Sequence, residues 1–162
     1  MSASSRNILL LLGAVWGFVM AAIPSLVAFD DPFTVSPFLI AAHLCAAASG
    51  AFGFWMAGRR TAGLGRSARG ETVRGALRVV GAGALQALVA ATLAAFSIWL
   101  MMAINMSGFS ESSPGGLLNI FREPSIWVES LIVAQAVFVY AVVVGLLLSP
   151  VSGTAIRLLA RP

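Results

Sequence analysis

Four long apolar stretches separated by three polar segments organise this chain. They run approximately from Ile8 to Phe29, Phe33 to Ala57, Val79 to Ile104 and Ile126 to Ser149. Each exceeds the roughly 20 residues with which an α-helix crosses a hydrocarbon core about 30 Å thick. None shows the alternation, in segments of about ten residues, that marks a membrane β-barrel. The pattern predicts an all-α polytopic membrane protein, a single domain built as a bundle of four transmembrane helices. The first run follows Arg6 and invites comparison with a secretory leader. It is too long for one, and the following "SLVAFDD" lacks a small-x-small cleavage pattern, so it reads as a retained helix.

The polar segments differ in kind. "DDPF" between the first two runs is a tight turn, with Pro32 fixing the reversal, so these helices are expected to form an antiparallel hairpin. Residues 58–78 form a loop rich in arginine and glycine, and residues 105–125 form a longer connection. The first half of that connection is loop by its Gly, Ser and Pro content. In its second half Leu117, Leu118, Ile120 and Phe121 precede Arg122 and Glu123, which reads as a short interfacial helical turn. Pro124 is expected to end that turn and Ser125 to cap the fourth helix.

Composition agrees with the pattern: 59% hydrophobic and 10% charged residues lie outside the balance of a soluble domain. The net charge of +4 comes from arginine, and its placement gives it a meaning. With the amino terminus in the cytoplasm, nine of ten arginines are cytoplasmic: Arg6, Arg59, Arg60, Arg66, Arg69, Arg74, Arg78, Arg157 and Arg161. Only Arg122 then lies outside. The positive-inside rule therefore predicts that both termini are cytoplasmic, and it explains the basic charge without nucleic acid as a partner. The loop arginines Arg59, Arg60, Arg66, Arg69, Arg74 and Arg78 are also candidate contacts for anionic lipid head groups or an acidic partner. Its glycines at 58, 63, 65, 70 and 75 predict a flexible segment. Helix 3 has an alternative start near Glu71, which would let Arg74 and Arg78 snorkel. "GLGRSARG" lacks the Gly-Lys-Ser/Thr ending of a nucleotide loop.

Small residues spaced by four let membrane helices approach closely. Gly13, Gly17 and Ala21 form such a ridge on helix 1, Ser49, Gly53 and Ala57 on helix 2, and Gly83, Ala87, Ala91 and Ala95 on helix 3. Helix 4 offers only Ala141 and Gly145. Helix 3 is therefore expected at the packed centre, and helix 4 is expected to meet lipid or a partner over more of its surface.

Candidate chemistry is confined to a few intramembrane polar groups. His43 and Gln135 fall near mid-membrane, with Gln86 and Tyr140 closer to the cytoplasmic side. Two cross-helix hydrogen bonds, His43 with Gln135 and Gln86 with Tyr140, would satisfy them. The competing role for His43 is a proton relay or a metal or haem ligand. One cysteine, Cys45, provides no C-x-x-C relay and makes a structural zinc site implausible. No acid lies at mid-membrane to serve a carboxylate protease or a proton-driven exchanger. A Ser/His/Asp set is not assembled either. The sequence thus predicts neither enzyme nor cofactor. The expected function is a non-catalytic subunit or scaffold of a larger assembly in a bacterial inner (plasma) membrane. The alternative is a small homo-oligomeric channel or transporter. A membrane-protein partner or self-association, together with anionic lipid, completes the expected set of contacts.

Overall fold

The computed structural model describes residues 3–28, 37–62, 72–107 and 121–160. Among these the chain is all-helical: α1 (Ala3–Ala28), α2 (Pro37–Ala62), α3 (Thr72–Met106), α4 (Pro124–Leu147) and α5 (Ser149–Leu159). The first four are long and apolar enough to cross a membrane. The "DDPF" turn, Arg66, Arg69 and residues 108–120 lie outside the described residues.

The helix boundaries depart from the apolar runs in physically interpretable ways. α2 continues past Ala57 to Ala62, through Gly58. The Thr61 hydroxyl donates to the Ala57 and Gly58 carbonyls at 3.1 and 3.0 Å, and Arg59 and Arg60 sit in the last turn, where cations complement the helix dipole. α3 starts at Thr72, so the early start is the one observed and Arg74 and Arg78 are helical. The expected loop 58–78 therefore contracts, because hydrophobic runs mark only the part of a helix that needs lipid. At 35 residues α3 is about 52 Å long, more than the roughly 30 Å of a hydrocarbon core.

A helical stretch through Phe121 and Arg122 ends at Glu123, just before Pro124, as expected, and Pro124 is the first residue of α4; Glu123, not Ser125, holds the cap position. A proline fits the first helical turn because its missing N–H would have no helical partner there. Phe121 and Arg122 are helical and exposed.

A fifth helix, which the apolar pattern did not predict, follows the last run. Pro150 lacks the N–H that would continue α4 by bonding to Leu146, and its ring crowds that carbonyl, so the chain breaks at Leu148. The helix resumes at once: Val151 and Ser152 both donate to the Leu148 carbonyl, at 3.0 and 3.1 Å. α5 then packs on α3, burying Ser149, Ser152, Gly153 and Ile156.

Packing follows chain order: α1 on α2, α2 on α3, and α3 on both α4 and α5. α1 and α4 share no seam of comparable extent. The arrangement reflects how many small-residue stripes each helix carries. α1 has one: side chains at Gly13 or Gly17 would collide with the backbone of Gly50 and Ala46 of α2. α2 has two, since Gly53 faces the other way, where a Cβ would lie 2.9 Å from the Gln86 carbonyl of α3. Of the expected ridge of Ser49, Gly53 and Ala57, Gly53 faces α3, and the close backbone approach to α1 is made by Ala46 and Gly50. α3 turns its ridge to α4 and α5, with Gly83 against the Ser149 carbonyl and Ala87 2.7 Å from where a Gly145 Cβ would stand. Ala87 and Ala91 are buried on that ridge.

The main core sits at the arginine-bearing end, where Leu9, Phe54, Ala57, Ala82, Ile156 and Ala160 join α1, α2, α3 and α5. At the opposite end Trp99 of α3 donates to the Trp127 carbonyl of α4 at 3.1 Å, with the two rings 5.3 Å apart. Indole rings thus lie near both ends, Trp55 beside Arg59 at one and Trp99 with Trp127 at the other, the placement expected of a helix bundle with two water interfaces.

Candidate functional site

Polar side chains within these helices are mostly satisfied locally. The hydroxyls of Ser49, Thr92 and Ser97 each donate to the carbonyl four residues back, at 2.7 to 2.8 Å. This keeps a hydroxyl compatible with an apolar surrounding without a partner helix. His43 behaves similarly. Its Nδ1 lies 2.8 Å from the Leu39 carbonyl, and since a carbonyl only accepts, Nδ1 carries the proton of this bond. The ring also meets Phe18 of α1, centroids 5.2 Å apart. The expected His43–Gln135 pair is not formed: His43 is turned to its own backbone and to α1, and Gln135 is exposed on α4.

The second expected pair is not formed either, and its replacement is specific. Tyr140 of α4 donates its hydroxyl to the Met20 carbonyl of α1 at 3.3 Å. In an α-helix the Met20 carbonyl accepts from residue 24. Residue 24 is Pro24, inside α1, and has no N–H to give. Tyr140 thus supplies the hydrogen bond that Pro24 withholds, and it ties together the two helices that otherwise share no seam. The sequence contained the signal in the proline, since one within an apolar run frees the carbonyl four residues before it. Finding the donor required the fold. Gln86 meanwhile is 2% exposed at the α2–α3 seam, and its Oε1 has no hydrogen-bond partner.

Cys45 is a free thiol whose Sγ lies 3.8 Å from Met101 Sδ. Among the described residues no three His, Cys, Asp or Glu side chains gather as a metal site would require.

The arginines near the inner core differ in setting. Arg59 lies over the Trp55 ring, 5.0 Å from its centroid, a cation–π contact that orients the guanidinium. Arg157 of α5 donates to the Gly75 carbonyl of α3 at 3.4 Å. Arg6, Arg60 and Arg78 are exposed. The structure brings arginines of α1, α2, α3 and α5 to one end of the molecule, as their sequence positions implied.

The remaining feature is the outward side of α4. An open groove of about 640 Å³ is lined there by Ile132, Gln135, Ala136, Val139, Tyr140, Val143 and Val144. Its lining is apolar apart from the Gln135 amide and the Tyr140 hydroxyl, and that hydroxyl is already committed to Met20. Within the lining of this groove Gln135 is thus the exposed polar side chain among groups suited to lipid. In comparisons with known proteins, no family model matches the chain, and no characterised protein or solved structure shows significant similarity to it.

Proposed function

We propose that the chain is a non-catalytic integral membrane subunit, a packing scaffold within a larger inner-membrane assembly, with both termini cytoplasmic. The observation that carries this reading is Gln135, exposed in the middle of α4 among large apolar side chains. Lipid tails offer a carboxamide neither donor nor acceptor, so the group is satisfied only when another polypeptide covers it. The rest of the molecule suits a scaffold. The backbone approaches at Gly13, Gly17 and Gly50, and at Gly83 and Gly153, leave little room for the helices to slide. The arginines at one end then face the cytoplasm and the anionic head groups of that leaflet. The test is purification of the full chain from its native membrane in a mild detergent, with mass measurement of the particle. The expected result is a protein mass above the 16.8 kDa of one chain. A monodisperse single chain with no accompanying polypeptide overturns the proposal.

A further inference from the structure

Gln135 does not stand alone on α4. Val128, Ile132, Gln135, Val139, Val142 and Leu146 follow one another at alternating spacings of four and three residues. That is the period of a left-handed helix–helix seam, and the 18 steps from 128 to 146 cover about 27 Å, close to a hydrocarbon core. Among the described residues the seam is largely open: Val128, Ile132, Val139 and Leu146 are 60%, 63%, 59% and 43% exposed, and Val142 is half-buried. The face of α4 that packs inside the molecule is a different one, carrying the buried Ile126, Ser130 and Ala134. A single polar residue within such an apolar seam fixes register, at some expense in stability.

We infer that this seam binds a second copy of the chain, α4 against α4, with the two Gln135 amides hydrogen-bonded to each other across a two-fold axis along the membrane normal. The inference rests on the membrane-subunit reading and names the occupant of its open face. Two physical properties select a second copy. A carboxamide is self-complementary, because its N–H donates and its carbonyl accepts, so two copies satisfy both groups with no further residue type required. The bilayer also holds every copy at the same depth and orientation, so a two-fold axis along the normal sets Gln135 level with its own counterpart. A polar residue elsewhere in a dissimilar partner would have to match that depth independently. The branched side chains of Val128, Ile132 and Val139 form the rest of the contact.

The test uses the full chain in its native membrane, with Cys45→Ala as background and single cysteines placed at Val139, Ile132 or, as a control on another face of α4, Val133. Mild oxidation is expected to yield a disulfide-linked species of twice the chain mass from positions 139 and 132 and not from 133. In reconstituted vesicles, dilution-dependent energy transfer between labelled copies should show Gln135→Leu weakening self-association roughly 3- to 20-fold, the range one interhelical hydrogen bond supplies in a membrane. Gln135→Asn, which keeps the amide, should retain it. If positions 139 and 132 are captured by a different polypeptide, the self-association is overturned and the subunit reading stands. If they cross-link to nothing and the purified particle is one chain, both fail. Equal dimerisation of Gln135→Leu and the parent chain overturns the role of the amide.

Discussion

Pro24, Met20 and Tyr140 show how one residue type creates a demand that another, 116 positions later, meets. Proline withholds an N–H, a carbonyl is left open inside an apolar helix, and a hydroxyl on α4 reaches it at 3.3 Å. The two side chains should therefore be energetically coupled. Tyr140→Phe is expected to destabilise the protein by about 0.6 kcal/mol and by no more than about 1.7 kcal/mol, the mean and maximum found for interhelical hydrogen bonds in a membrane. In a Pro24→Ala background the N–H of residue 24 takes the Met20 carbonyl, and the same substitution should have an effect near zero. The double-mutant cycle, read by unfolding in mixed micelles, checks this. An undiminished effect of Tyr140→Phe beside Ala at position 24 would contradict the coupling.

α5 is the element the hydrophobic pattern concealed. Its buried stripe is Ser149, Ser152, Gly153 and Ile156, a correct helical spacing written mostly in small residues that hydropathy does not register. The stripe is small because α3 comes so near: a Cβ on Gly153 would strike the Val79 carbonyl, and one on Gly83 the Ser149 carbonyl. Two glycines on α3, two residues apart, separate this packing role from mere composition. Gly83→Ala is expected to cost about 1 to 3 kcal/mol by overpacking the α3–α5 seam. Gly81, with nothing within 4 Å of its would-be Cβ, should accept alanine and gain about 0.5 to 1 kcal/mol of helix stability. Unfolding midpoints of the two variants provide the comparison. Equal responses would mean that the seam does not set the spacing between these helices.

The placement of charge and aromatic rings along the bundle leads to a topological prediction. Arg6, Arg59, Arg60, Arg78 and Arg157 gather at one end, while Trp99 and Trp127 pair near the other. The positive-inside rule places the arginine end in the cytoplasm. Cysteines introduced singly at the exposed positions Ala62 and Ser125, in a Cys45→Ala background, should react with a membrane-impermeant maleimide from opposite sides. Position 125 should label in intact cells and position 62 only after lysis. Labelling of position 62 from outside would invert the proposed orientation. Sequential packing also gives the molecule its asymmetry: α3 is covered on several sides, while α4 keeps a broad outward face.

The all-helical class, the four helices long and apolar enough to cross a membrane and the gathering of arginines at one end were legible in the sequence, because hydropathy and charge are summed locally and need no knowledge of neighbours. The same holds for Gly13, Gly17, Gly83 and Ala87, whose spacing alone marked surfaces of close approach. Partner choice was not legible. His43 turned to Leu39 and Phe18, Tyr140 to Met20, and neither met the glutamine at comparable depth on another helix. Depth fixes only one coordinate of a residue in a membrane. The direction in which it points depends on which stripes pack together, and that is settled by backbone contacts such as Gly50 on Gly13 and Gly83 on Ser149, made between distant parts of the chain. α5 was hidden for the same reason: glycine and serine become a buried helical face only once α3 lies against them.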